Sequence, residues 1–209
     1  IASTVEASTA DGPVRVRIDR IAGALPVRLD LEGVHLADGA GEFAALDRVR
    51  LVWSPLALLG GTVAVDAVEV DGGRVLRAPE TGEPATSGPV TAPTLKFPAP
   101  PVAVRLATLR VAGLALDRQL AGQAATLDAE LQASVSKASA TARGWVTASG
   151  TGGTGRLDLD LAVVPADGTL RAELRASEPE GGLVAGLLGL PDRPPLSLTL
   201  TGDGTLAAW

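Results

Sequence analysis

The stretch "RLDLEGVHLADGAGEFAALDRVRLVWSPLALLGG", residues 28–61, predicts two β-strands, a tight turn and a short apolar cap. Leu29 and Leu31 alternate with charged neighbours such as Asp30, and the same alternation returns before the cap. Because every second side chain of a strand lies on the same face, each strand has one aliphatic and one charged face. Pro55 ends the pattern. The stretch therefore predicts a regular sheet with two different faces.

The same period-two alternation recurs throughout the chain, in "PVRVRIDRI", "VAVRLATLRV", "ATLDAELQASV", "RLDLDLAVV", "TLRAELRAS" and "LSLTLTGDG". Segments with helical periodicity are few and short, so the sequence predicts an all-β chain. Asp-Gly pairs predict hairpin turns, since glycine supplies the positive φ of such turns. These pairs are Asp38-Gly39, Asp71-Gly72, Asp167-Gly168 and Asp203-Gly204. The turn signals as a whole are often about ten residues apart, which predicts an antiparallel meander.

Four segments interrupt the strands. "SPLALLGG" has Ser54 as a candidate N-cap and Gly60 as a stop, and "SEPEGGLVAGLLGLPDRPP" repeats this organisation from Ser177. Both predict short apolar helices docked on a sheet end. Residues 80–100, rich in Pro, Thr and Ser, and the Gly-rich residues 148–155 predict flexible loops.

The composition narrows the function classes. The chain has 209 residues, 46% of them hydrophobic, but only 3 Trp, 2 Phe and no Tyr. Its net charge is −6 and its 18 basic residues are scattered, which argues against a nucleic-acid partner. Cysteine is absent, so no disulfide or thiolate site is expected. The absence of methionine predicts that residues 1–209 are a single segment of a longer protein.

No residue pattern predicts catalysis, a metal site or a cofactor. His35 lies on the polar phase of a strand and is expected to be a surface imidazole. Asp158 and Asp160 share a strand face, but the leucines between them favour a solvated outer surface over an acid–base pair. "GTGGTG", residues 150–155, precedes a strand, whereas a phosphate loop precedes a helix. The chain is therefore not expected to be an enzyme.

The aliphatic faces are the recurrent feature and the candidate site. Two arrangements fit them: a β-sandwich whose faces close on each other, or an open groove lined by the aliphatic face. A groove would accept acyl chains, since each buried methylene contributes about 0.8 kcal/mol. The candidate groove residues are Val14, Val16, Ile18, Val27, Leu29, Leu31, Val49, Leu51, Trp53, Val102, Val104, Leu106, Leu157, Leu159, Leu161, Leu196, Leu198 and Leu200.

Residues 18–79 resemble the N-terminal periplasmic region of the TamB family, which has AsmA-like relatives. The resemblance is carried by "LDLEGVHLADGAGEF", by "LDRVRLVWSPLALLGG" and by the strand pair "VAVDAVEV…RVLRAP". "LLGLPDRPPLSLTLTGDGTLAAW" also resembles a recurrent segment of that family. The resemblance implies an antiparallel meander curled into an open, elongated β-groove, with short docked helices and an apolar concave face.

The resemblance also implies a location and partners. Family members are anchored in the inner membrane by an N-terminal helix, cross the periplasm and meet an outer-membrane barrel partner, TamA. Their link to phospholipid transport favours a lipid conduit, and their link to outer-membrane protein assembly leaves a scaffold or chaperone as the alternative. An adhesin-like β-sandwich is the third possibility. The register is expected to slip where a strand bulges, for instance near Ala67 and Val68.

Overall fold

The protein is all-β and forms one curled sheet in the computed structural model, which describes residues 5–7, 14–79, 102–188 and 190–205. Within these ranges the sheet has 12 strands. The strands are β1 (Val5–Ala7), β2 (Arg15–Ala22), β3 (Arg28–Asp38), β4 (Gly41–Ser54), β5 (Thr62–Asp71), β6 (Arg74–Val75), β7 (Ala103–Leu116), β8 (Ala125–Val135), β9 (Ala140–Gly150), β10 (Gly153–Val164), β11 (Thr169–Glu178) and β12 (Leu196–Thr205).

Strand order follows chain order, with one departure from the predicted meander. The path is β1-β2-β3-β4-β5-β7-β8-β9-β10-β11-β12, and the short β6 pairs with both β4 and β7. The β5–β7 and β6–β7 pairs are parallel, whereas the other pairs are antiparallel. A parallel pair needs a long crossover connection rather than a tight turn. The expectation of a wholly antiparallel meander was therefore wrong at this pair.

The two apolar segments form short helices, but not both as expected. A 3-10 helix (Pro55–Gly60) follows β4; none of its residues is fully buried, and it contacts β5. It ends at Gly60, as predicted, and Gly61, with φ 73°, is its C-cap. Helix α2 (Leu183–Leu187) does pack on the sheet, but Ser177 belongs to β11 and does not begin it. A further short helix, α1 (Arg118–Ala121), links β7 to β8.

The predicted turns and loops have different outcomes. Asp38-Gly39 and Asp167-Gly168 lie at hairpin turns, whereas Asp71-Gly72 leads into β6 and Asp203-Gly204 lies within β12. Residues 148–155, expected to be a flexible loop, are the paired ends of β9 and β10 around a two-residue turn, 151–152. The loop predicted at 80–100 lies outside the described residues.

One buried ion pair fixes the turn between β3 and β4. The Asp38 side chain is 1% exposed and accepts bonds from both terminal nitrogens of Arg77, one of them at 2.8 Å. Asp38 also accepts from the Ala40 amide at 2.9 Å. Arg77 donates in turn to the Gly41 carbonyl at 2.8 Å. This cluster holds the segment after β6 against the end of the β3–β4 hairpin.

Candidate functional site: an aliphatic face across one sheet

Aliphatic residues of neighbouring strands lie opposite one another in continuous rows that run across the sheet. One row crosses nine strands, from β3 to β12, with a glycine as its only member that is not aliphatic. Its members are Leu29, Leu51, Val68, Leu109, Leu131, Gly144, Leu159, Leu174 and Leu200. At about 4.8 Å between strands, this row is roughly 38 Å long.

A second row runs beside the first and crosses ten strands. Its members are Ile21, Leu31, Val49, Val70, Val111, Ala129, Val146, Leu157, Ala176 and Leu198. A third row begins at Trp53 and continues through Val65, Leu106, Ala133, Ala142, Leu161 and Ala172. Residues two positions apart in regular strands share a face, so the three rows together form one surface, called here the aliphatic face.

Bulges keep this face aliphatic where simple alternation would not. In β7, residues 107–108 together oppose one residue of β8, and residues 112–113 do so again. The β4–β5 pairing shifts between Val52 and Trp53, near the predicted slip at Ala67 and Val68. Because an extra residue restores the phase of a strand, the aliphatic residues on both sides of each bulge stay in register.

The aliphatic face has no second sheet over it in the described ranges, since all twelve strands belong to one sheet. Its row members are mostly half-buried, and Leu198 and Leu200 are 53% and 45% exposed. The inner face of a sandwich would be buried at these positions. The closed sandwich considered from the sequence is therefore not the architecture of this chain.

Most predicted groove residues lie in strands and opposite other aliphatic residues. The predicted residues that oppose an aliphatic or small residue are Val16, Ile18, Leu29, Leu31, Val49, Leu51, Trp53, Val104, Leu106, Leu157, Leu159, Leu161, Leu198 and Leu200. Leu196 instead opposes Glu178. Val14, Val27 and Val102 lie outside the strands. Val27 belongs to the β2–β3 turn and is 47% exposed.

Sequence reasoning missed the central part of the aliphatic face. Val68 and Val70 of β5, Leu109 and Val111 of β7, and Leu131 of β8 all belong to the rows. The alternation of β8 was a sufficient signal for Leu131. In β5 and β7 the bulges displace the alternation, so the phase could not be read from spacing alone.

Helix α2 covers one end of the aliphatic face and borders an open cavity of about 520 Å³. The cavity walls are aliphatic: Val146, Leu157, Leu174, Ala176, Val184, Leu188, Leu196 and Leu198 line it, with few polar groups. Buried Glu178 accepts the amide N–H groups of Val184 and Ala185 at 2.8 and 3.0 Å. Its carboxylate therefore takes the capping role that Ser177 was expected to have.

The charged groups beside this cavity are already engaged. Arg156 donates to Asp158 and lies over the Trp145 ring, 5.3 Å from its centroid. Both oxygens of Glu178 accept amides of α2. A cavity of this size with aliphatic walls and paired charges suits a hydrocarbon chain.

The opposite face carries a row of residues, called here the charge row, in which charges of alternating sign run from Asp30 to Glu130 and, beyond Trp145, from Asp158 to Arg175. It comprises Asp30, Arg50, Glu69, Arg110, Glu130, Trp145, Asp158 and Arg175, paired across successive strands. Arg50 donates to Asp30 and to Glu69, both at 3.0 Å. Opposite charges in directly facing positions stabilise a sheet and keep this face solvated.

Arginine partners favour the ionised form of Asp30 and Asp158 on this face. Hydrogen bonds from Arg28 and Arg50 lower the pKa of Asp30. A hydrogen bond from Arg156 lowers the pKa of Asp158, and Asp160 pairs with Arg143 at 2.7 Å. The two aspartates considered from the sequence as an acid–base pair are thus members of separate ion pairs.

His35 is more constrained than a free surface imidazole. Its Nδ1 lies 2.8 Å from Glu42 Oε2, and its Nε2 lies 3.5 Å from Asp19 Oδ2. The hydrogen bond from His35 lowers the pKa of Glu42. No group of three or more His, Cys, Asp or Glu side chains that could hold a metal ion occurs in the described part of the chain.

Comparisons with known proteins give no match: no protein-family model, no curated protein and no solved structure is similar to this chain. None of the helices in the described ranges is long and apolar enough to cross a membrane. The TamB resemblance therefore rests on the sequence motifs quoted above.

Proposed function

We propose that this chain shields phospholipid acyl chains on its aliphatic face and conducts them along the sheet, as a segment of a TamB-like bridge between two membranes. The observation that carries the proposal is the set of aliphatic rows that cross up to ten strands. Half of a sixteen-carbon chain buried there contributes about 6 kcal/mol. The rows offer similar contacts at every strand, which allows a chain to slide.

The location and partners follow from the same proposal. The bridge would lie in the periplasm, joined to the inner membrane by an anchor outside this sequence and to TamA by a distant part of the protein. The alternating charge row on the opposite face suits an aqueous compartment. No catalytic group or cofactor has a role in this mechanism.

Photocrosslinking in cells tests the proposal, with a probe at Leu51 and a matched probe at Arg50. Leu51 lies in the first aliphatic row and Arg50 in the charge row, so the two probes face opposite sides of one strand. Mass spectrometry should find phospholipid adducts at position 51 and none at position 50. Absence of lipid at both positions would refute the proposal.

A charge placed on each face gives an independent test. Leu51→Glu should lower the phospholipid that co-purifies with the chain, because a carboxylate in the row must stay hydrated. Val52→Glu introduces the same charge one residue further, opposite Arg28, and should leave the lipid content unchanged. Equal lipid content in both variants would show that the aliphatic face is not the binding surface.

The second candidate function is a scaffold for outer-membrane strands. Strand β12 is a sheet edge of ten residues without Lys or Pro, and such an edge can pair with another strand. Protein adducts at both probe positions, without lipid, would favour this function over the conduit.

A further inference from the structure

One end of the sheet carries a group of exposed aliphatic side chains, called here the apolar rim. Leu25, Leu56 and Leu59 are 74%, 78% and 88% exposed. Val27, Leu58, Val102 and Val104 complete the group, and each is more than a third exposed. Contiguous exposed aliphatic residues on a soluble surface mark a contact with a partner or a membrane.

Backbone pairing brings the three segments of the rim together. The Trp53 amide donates to the Val27 carbonyl at 3.0 Å, which joins the β2–β3 turn to the start of the 3-10 helix. The Ala103 amide donates to the Gly61 carbonyl at 3.0 Å, which joins the end of that helix to β7. The exposed leucines therefore protrude from adjacent loops.

The rim contains no charged residue. Residues 21–27 and 51–65 have no Asp, Glu, Lys, Arg or His. The turns at the same end of the C-terminal strands differ, since 136–139 contains a lysine and 165–168 an aspartate. Nearby Arg28 and Arg105 are paired with Asp30 and Asp66. Among the residues that the structure describes, uncharged apolar tips at this end thus occur in the first half of the sheet.

Several backbone groups of the rim are hydrogen-bonded within the protein. The amides of Val27 and Arg28 donate to the Ala24 carbonyl at 3.0 Å, and the Gly61 amide donates to the Leu58 carbonyl at 2.9 Å. The Trp53 indole donates to the Pro26 carbonyl. Internally paired backbone is a requirement for entering lipid, where no water replaces a missing partner. A protein partner would instead use exposed hydrogen-bonding groups around an apolar centre.

We propose that the apolar rim inserts into the surface of a lipid bilayer. Val104 of the rim lies two residues before Leu106 of the third row, and the Trp53 amide of that row donates to the Val27 carbonyl of the rim, so the rim adjoins the aliphatic face. A bilayer at the rim would give acyl chains direct access to that face. Membrane insertion itself does not depend on the proposed lipid conduction, and the two are measured separately.

Flotation of the full chain with uncharged phosphatidylcholine vesicles tests the insertion. The wild-type chain should float with the vesicles in both 0.15 M and 1 M NaCl, because salt screens an electrostatic contact but not an apolar one. Leu56→Ser combined with Leu59→Ser should lower the partition coefficient at least about tenfold, because each leucine loses its apolar transfer free energy. Both side chains are exposed, so the fold should survive, as circular dichroism would verify.

The matched control changes two exposed aliphatic residues away from the rim. Ala138→Ser combined with Ala166→Ser alters two exposed side chains in the polar turns 136–139 and 165–168, and it should leave flotation within about twofold of wild type. No wild-type flotation, or equal loss in both double variants, would overturn the proposal. A dimer in light scattering that only the rim variant dissociates would assign the rim to a second copy instead.

Fluorescent labelling gives a measurement that does not rely on loss of binding. The chain has no cysteine, so Leu59→Cys and Ala166→Cys each provide one labelling site. An environment-sensitive dye at 59 should shift to the blue with vesicles and be quenched by lipids carrying a nitroxide in the acyl chain. The dye at 166, in the polar 165–168 turn, should do neither. Quenching at both sites, or at neither, would contradict insertion through the rim. Lipid crosslinking at Leu51 could still succeed in that case, which separates the two proposals.

Discussion

Removing the Asp38 carboxylate should destabilise the protein strongly, because the Arg77 guanidinium would lose its bidentate partner in a buried setting. Asp38 is 1% exposed and Arg77 25% exposed at the side chain. Removing one partner of a buried ion pair costs about 3–5 kcal/mol. For a chain of this size, Asp38→Ala should therefore lower Tm by about 6–20 °C.

Urea denaturation followed by circular dichroism measures this cost, and a double-mutant cycle with Arg77→Ala assigns it to the pair. Asp160→Ala is the matched control, since Asp160 and its partner Arg143 are 43% and 74% exposed. The control should cost at most about 1 kcal/mol. The expectation fails if Asp38→Ala also costs less than about 1 kcal/mol. It fails equally if the costs of the two single variants simply add in the double variant, because the Asp38–Arg77 ion pair would then contribute no interaction energy.

Three further predictions concern the cavity, pH and the backbone. Ala176→Phe should fill the cavity under α2 and lower co-purified lipid, measured by mass spectrometry, whereas Thr199→Phe on the opposite face should not. Folding lowers the pKa of Asp30 from 3.8, so the unfolded chain binds the proton of this carboxyl group more readily than the folded chain does. The stability that the carboxylate adds is therefore complete above the unfolded pKa of 3.8 and is lost as the pH falls through the folded pKa. Urea titrations should accordingly show wild type and Asp30→Asn converging in acid, and a gap that widens there would contradict the sign. Gly33 and Gly168 have nearly the same left-handed backbone, with φ 62° and 61°. Their surroundings differ, because a Cβ added at Gly33 would lie 2.3 Å from a carboxylate oxygen of β2, whereas a Cβ added at Gly168 would meet open space. Gly168→Ala should lower the free energy of unfolding, measured by urea denaturation, by about 1–2 kcal/mol, and Gly33→Ala should lower it further. Equal losses would show that the neighbouring carboxylate simply moves away.

Local alternation was enough to predict the sheet and most of its strands. Leu157, Leu159 and Leu161 alternate with charges in the sequence and occupy three neighbouring aliphatic rows in the structure. Their partners could not be read from the sequence, because pairing depends on strands distant in the chain. The parallel β5–β7 pair is the clearest case, since residues 72–102 separate its strands.

Other differences have local physical causes. Asp203-Gly204 has the composition of a turn, but pairing with β11 through Arg171 and Leu170 keeps both residues extended. Ser177 has the capping chemistry of a helix start, yet the Glu178 carboxylate is the group that reaches the amides of α2. In both cases tertiary contacts override a local preference that is worth only about 1 kcal/mol.

The single layer of strands has a consequence for how the protein unfolds. Strands contact chiefly the neighbours to which they are hydrogen-bonded, with α2 as an added brace at one end. Stability in such a linear array is a sum of nearest-neighbour interactions, as in repeat proteins. We therefore expect hydrogen exchange to be graded, with the edge strands β1 and β12 fraying first and the strands around β8 protected longest. Cooperativity between distant strands is low, so one damaged strand would divide the sheet into two halves that each remain folded.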